Sequence, residues 1–279
     1  MRSLAARWSS TWRNSLGLSD SPARKTFNSI EPTASTKVKA LLVSAKMSNQ
    51  YSKPLKEEQD MVASLLDEAL ADLPEGLLPF VHGELAGEQI LAGVVLASAA
   101  PEHDSAEALS RRAALAAALE LLQIGLSIHR LLLTRGQPGA IDSLLLGGTI
   151  LAGDYCFSRA AVLASLTNHP RVVGIFAELL KEVSQANLRR VIDGECVDSE
   201  EHRADERKAL FQSGALAGLQ LAGLGDEEQG IVARYASQLS RRMPGDGAPI
   251  PDANSEEDGV GELPQYQRER WRSIVSVIG

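Results

Sequence analysis

The densest run of potentially reactive side chains lies late in the chain, where Asp193, Glu195, Asp198, Glu200 and Glu201 precede His202. Carboxylates and an imidazole are divalent-metal ligands. A calcium loop, however, needs oxygens alternating at fixed positions around a glycine, and a di-iron bundle needs Glu-x-x-His pairs. Neither spacing occurs, so the run is expected to be a solvated acidic loop. Cys156 and Cys196 have no Cys-x-x-Cys spacing and no partner pattern, which predicts neither a zinc site nor a disulfide framework. No glycine-rich phosphate loop and no Gly-x-Ser-x-Gly elbow is present. What remains are isolated polar residues in apolar surroundings. His129 shares a helical face with Leu122 and Leu126 and is expected to be a core or helix-contact histidine. Asp154, beside Gly153, is expected to start a helix or to be locally hydrogen-bonded.

The elements that must position these residues are helices. Met61, Val62, Leu65, Leu66, Ala69 and Leu70 form a stripe that Leu73-Pro74-Glu75-Gly76 ends. A second helix is predicted over 78–100, stopped by Pro101, and a third from Ser105 to about Leu133. Further helices are predicted over 141–165, 171–192, 200–221 and 227–242, broken by Asn168-His169-Pro170, Asp193-Gly194 and Gly223-Leu224-Gly225. No stretch alternates with period two long enough for a strand. The fold class is therefore all-α. Residues 1–50 read as a leader, 51–243 as a helical domain, 244–264 as a flexible acidic linker and 265–279 as a short terminal helix.

Charge refines this organisation. Residues 1–50 hold eight Lys/Arg against Asp20 and Glu31, so a chain of net charge −8 has a body of −14. An acidic body argues against nucleic-acid binding. The basic, Ser-rich leader has the composition of a transit peptide, which would place the protein in mitochondria with 1–46 removed. The other reading is an extension ahead of Met47 on a cytoplasmic protein. The longest apolar run, Ile90 to Ala100, is short of a membrane span. The terminal RERWRSIVSVIG, with Arg268, Arg270 and Arg272 beside Trp271, Ile274 and Ile278, is expected to pack on the body, dock on a partner or meet a membrane surface.

From Glu120 to Thr134 and from Gly153 to Ala160, the segments ELLQIGLSIHRLLLT and GDYCFSRA resemble two core helices of the trans-isoprenyl (polyprenyl) diphosphate synthases. Glu120-Leu121, His129 and Gly153-Asp154-Tyr155 fall in that family's order. Asp193-Gly194-Glu195, Ala209-Leu210-Phe211, Gly214-Ala215 and Tyr235 extend the likeness over about residues 55–243. The resemblance implies an isoprenoid-synthase-type helical bundle, with its C-terminal helices missing here. It also implies where the chemistry would be. Ionising an allylic diphosphate takes several Mg²⁺ ions held by carboxylates, with Lys and Arg on the diphosphates.

This chain departs from that pattern at each charged motif. The first aspartate-rich motif, DDxxD, corresponds to Arg130-Leu131-Leu132-Leu133-Thr134, so Arg130, Leu131 and Thr134 stand for its three carboxylates. The basic motif corresponds to Ala86-Gly87-Glu88-Gln89, where Gly87 remains but Glu88 and Gln89 replace cations. A diphosphate-binding Lys corresponds to Glu206, with Arg207 and Lys208 turned away around the helix. The second aspartate-rich motif should fall near Gly247 to Pro251, but the chain reads Pro244-Gly245-Asp246-Gly247-Ala248-Pro249, with Asp246 its one acid. The resemblance therefore implies a degenerate member with Mg²⁺ binding lost, no cofactor and no turnover of its own. Its implied role is a regulatory or structural subunit paired in a heteromer with a catalytic prenyl diphosphate synthase. The alternative is a stand-alone pseudoenzyme that binds an isoprenoid or other lipid in the former hydrocarbon tunnel.

Overall fold

The computed structural model describes residues 55–79, 81, 89–101, 104–134, 143–194, 199–241, 263–264, 267–271 and 274. All of them lie in one compact unit, Ala40–Gly279. The helices with bounds among the described residues are, in order, α1 Leu55–Leu70, α2 Ile90–Ser98, α3 Ala106–Thr134, α4 Ser143–Ser165, α5 Pro170–Asp193, α6 Glu200–Ala222 and α7 Asp226–Ser240. A single 3₁₀ turn, Glu75–Leu77, follows α1, and no strand occurs among the described residues. The all-α expectation holds.

Helix α2 is the hub. All nine of its residues are buried, so it is apolar around its whole circumference and packs against α1, α3 and α6. Helix α6 comes close to it through Gly218, where an added Cβ would meet Ser98 Cβ at 2.8 Å and the Val95 carbonyl oxygen at 3.0 Å. Helix ends follow their chemistry. Ser199 caps α6, its hydroxyl accepting from the His202 N–H at 3.2 Å. Pro170 opens α5, while Gly194 and Gly223 close α5 and α6 at φ 70° and 71°.

Two expectations change in detail. Of the helix predicted over 78–100, the segment Ile90–Ser98 is one continuous helix, and residues 82–88 lie outside the described residues. Asp154 does not start a helix; it sits mid-way along α4, because the preceding Leu/Gly-rich segment from Ser143 is already helical. By length and composition Ala106–Leu131 could cross a membrane, a feature that counting uninterrupted apolar runs does not detect; 72% of its most apolar window is buried inside the protein.

The terminal segment packs on the body. Trp271 is fully buried and meets Tyr235 of α7 edge to face, with ring centroids 5.2 Å apart. Residues 242–262, most of the predicted linker, and the predicted leader 1–50 lie outside the described residues.

Candidate functional site

Helix α3 carries five of the residues singled out above, Glu120, His129, Arg130, Leu131 and Thr134, and a helix cannot bring them all to one place. Glu120 and Arg130 are ten residues apart, about 15 Å along the axis. Each addresses a different neighbour. Glu120 is buried against the start of α2, where its Oε1 accepts the Ala92 N–H at 2.7 Å. It thus supplies from a distant helix the cap that Gln89 does not, since the Gln89 side chain makes no cap hydrogen bond. Burial pushes the Glu120 carboxyl up to about 7, and the Ala92 hydrogen bond only partly opposes the rise.

His129 is a helix-contact residue. An added Cβ at Gly153 would lie 2.2 Å from its ring, so α4 presents a bare backbone to the imidazole. The ring meets Phe157 edge to face at 4.9 Å. Its Nε2 lies 3.4 Å from both the Ile150 carbonyl oxygen and an Asp154 carboxylate oxygen. The contact is reciprocal: an added Cβ at Gly125 of α3 would lie 2.7 Å from the Phe157 ring. Tyr155 points elsewhere, its hydroxyl donating to the Ala69 carbonyl of α1 at 2.9 Å. His129, Gly153 and Asp154 therefore come together, while Glu120 and Tyr155 do not join them.

One turn before the end of α3, Arg130 forms an ion pair with Glu206 of α6, across 76 positions of sequence. The Glu206 side chain is 5% exposed and that of Arg130 18%. Asn187 of α5 donates a side-chain hydrogen bond to Glu206, and its Oδ1 faces His202 Nε2. The amide oxygen can only accept, so with Oδ1 facing the ring it is His202 Nε2–H that donates. The result is a chain of polar contacts from His202 through Asn187 and Glu206 to Arg130. Burial raises the Glu206 carboxyl above the usual range, with Arg130 pulling the other way. Burial, with the Arg190 and Arg130 charges, lowers His202.

Two members of this chain, His202 and Glu206, line a cleft of about 490 Å³ between α5 and α6, with Ala233 of α7 at its edge. Val183, Ala186, Ala209 and Leu216 give it apolar walls, and Lys208, Gln212 and Ser213 line it with polar groups. Arg207 turns toward α7 and the start of its own helix, donating to the Ser240 carbonyl at 3.4 Å and to Glu200 at 3.0 Å. The acidic run does not converge either: Glu200 pairs with Arg203 and Arg207, while His202 is buried against Asn187. Glu195 and Asp198 lie outside the described residues, and no three His, Cys, Asp or Glu among the described residues are grouped to hold a metal ion. Leu131 follows Arg130 half-buried, Thr134 is the last residue of α3, and Gly87, Glu88 and Asp246 lie outside the described residues. Sequence reasoning missed the Arg130–Glu206 pair and the roles of Asn187 and His202. The one available signal was opposite charge at two positions where the resemblance expects the reverse.

No family model and no curated protein matches the sequence. Solved structures do. A decaprenyl diphosphate synthase from Rhodobacter capsulatus superposes with a TM-score of 0.53 at 17% identity, covering 81% of this chain and 84% of that one. A polyprenyl synthase from Caulobacter crescentus CB15, solved with calcium and isoprenyl diphosphate, gives 0.53 at 15% identity over 83% and 87%. A geranyl diphosphate synthase small subunit from Antirrhinum majus gives 0.52 at 16% identity, covering 80% of this chain and 97% of that one. The chain has the all-helical fold of the trans-isoprenyl diphosphate synthases.

Proposed function

We propose that this protein is a non-catalytic subunit that pairs with an active polyprenyl diphosphate synthase in isoprenoid biosynthesis. The Arg130–Glu206 ion pair carries the proposal. On the resemblance, Arg130 stands where the first metal-binding aspartate belongs and Glu206 where a diphosphate-binding lysine belongs. An Mg²⁺–diphosphate site needs anionic oxygens on one side and a cation on the other. Here both signs are reversed, and the two charges neutralise each other directly. Arg130 and Leu131 offer no oxygen ligand, and Glu206 opposes an anion, so these residues do not suit Mg²⁺ and diphosphate.

Two features support a partner. The small subunit from Antirrhinum majus shares the fold along nearly its whole length. Apolar side chains also stand in solvent on α4 and α5, among them Leu151 at 62%, Leu188 at 59% and Ile192 at 73% exposed. On α5, Val173, Ala177, Ser184, Leu188 and Val191 recur near the helical period and make one exposed stripe of apolar and small residues. Such a stripe suits a subunit interface.

Co-purification of tagged protein from its native host, followed by prenyltransferase assay, tests the reading. A stoichiometric complex with an aspartate-complete synthase, active only as the complex or giving a changed product length, is expected. Recovery as a single species would sink it, and lipid in the extract would then favour the isoprenoid-binding alternative. Turnover by the purified chain alone would overturn the absence of catalysis. The site of action proposed is the cytoplasm; processing of residues 1–46 on import into isolated mitochondria would move it there.

A further inference from the structure

The C-terminal segment meets the body in the manner of a ligand. Gln267, Arg270, Trp271 and Ile274 fall at i, i+3, i+4 and i+7, the anchor spacing of a helix laid in a groove, and all four are buried. The groove is built from α1, the end of α2, the start of α3 and α7. Gln267 Nε2 donates to the Ser98 carbonyl at 2.9 Å and the Ala100 carbonyl at 3.2 Å, two acceptors at the end of α2. Ile274 lies against Gly93, where an added Cβ would meet its Cγ1 at 3.4 Å. Trp271 stands on the Tyr235 ring.

Arg270 supplies the charge. It pairs with Glu58, whose side chain is 0% exposed and which also receives Arg112 Nη2 at 2.6 Å. Arg112 in turn holds Asp104, its Nη1 donating at 2.6 Å. With the segment in place the four groups balance, two guanidiniums against two carboxylates. Without it, two carboxylates share the single Arg112, and the groove is left one negative charge in excess. A buried imbalance of this kind selects a basic anchor. The segment is also imperfectly matched: Gln267 Oε1, Arg270 Nε and Trp271 Nε1 are buried without hydrogen-bond partners.

We propose that this groove is a peptide-recognition site for an amphipathic helix bearing the pattern Gln-x-x-Arg-Trp-x-x-Ile, occupied in this protein by the chain's own C-terminal segment as a separable ligand. The inference is independent of the proposed subunit role. To test it, a protease site is placed within residues 245–258 of the full chain and cut after folding, and a fluorescent peptide of residues 263–279 is added. The cut protein should keep its helical circular dichroism, and the labelled peptide should exchange in, as read by anisotropy. A peptide carrying Arg270→Ala should bind at least about 100-fold more weakly, because it leaves the buried carboxylate excess unpaired. Loss of helical signal on cutting, failure of the peptide to exchange, or equal binding of the Arg270→Ala peptide would each overturn the proposal.

Discussion

Replacing Arg130 with methionine keeps most of the side-chain volume on α3 and removes only the charge that faces Glu206. The Glu206 carboxylate, 5% exposed, is then left with the Asn187 amide and the weaker influence of the Arg207 charge. Breaking one side of a buried pair costs about 3–5 kcal/mol, since the survivor keeps its desolvation penalty. The reverse change, Glu206→Gln, should cost less, about 1–2 kcal/mol, because Arg130 at 18% exposure can recover some water. Making both changes replaces a buried pair with near-isosteric neutral groups and should cost less than the Arg130→Met change alone. The double-mutant cycle therefore predicts a coupling of about 2–3 kcal/mol. Urea unfolding followed by circular dichroism reads it, with the midpoint of Arg130→Met lower by roughly 1–2 M for an m-value near the upper end of the usual range. The penalty also has a pH sign. Glu206 already has a raised folded-state pKa, and losing Arg130 removes an influence that lowers it. An acid whose folded pKa lies above its unfolded value stabilises the fold at low pH and loses that contribution as pH rises toward the folded pKa. Arg130→Met should therefore be hurt more at pH 8 than at pH 5. Two single changes that simply add, or an Arg130→Met protein as stable as the parent, would refute the reasoning.

Other perturbations follow from the packing. Gly153→Ala drives a methyl group into the His129 ring and should cost at least about 1–3 kcal/mol; His129→Ala in the same chain should restore much of the melting temperature. Trp271→Ala empties a fully buried site and should cost about 3–5 kcal/mol by denaturant titration, whereas a terminal segment lying free of the body would show almost none. Glu120, raised from 4.5 to about 7, stabilises the fold by up to about 3 kcal/mol below pH 4.5, and that contribution is lost as pH rises to 7. Glu120→Gln keeps the acceptor for the Ala92 N–H, so the difference in melting temperature between mutant and parent should move in the mutant's favour from pH 5 to pH 8. A pH-independent difference would show that Glu120 does not titrate there.

Helix positions were legible because turn chemistry marks them: Asn168-His169-Pro170 and Gly223-Leu224-Gly225 fall where α5 opens and α6 closes. The contact role of His129 was legible for the same reason, since its spacing from Leu122 and Leu126 sets its face. Of the two expectations for Asp154, a helix start or a local polar contact, the first fails and the second is met by His129 at 3.4 Å, because position 153 is glycine to admit a ring from α3 and does not break the helix. The Arg130–Glu206 pair could not be read from either segment. Each residue looks like an ordinary helix-surface charge in its own sequence, and only the packing of α3 against α6 puts them in contact. The same holds for Arg270 and Glu58, 212 positions apart.

The buried acids together bear on what the interior can bind. Among the described residues three carboxylates are buried, Glu58, Glu120 and Glu206, and each is committed to an internal donor. Glu58 serves Arg112 and Arg270, Glu120 the start of α2, and Glu206 Arg130 and Asn187. Every one thereby holds two helices together, so recruiting any of them to a cation would break a contact the fold uses. A single aspartate would not create a metal site at this pair. Arg130→Asp would set a second carboxylate against Glu206 with no cation between them, and two like charges in a buried site resolve by one taking up a proton. Metal binding there would require reversing both members of the pair at once, which is why the pair, more than either residue, carries the proposed role.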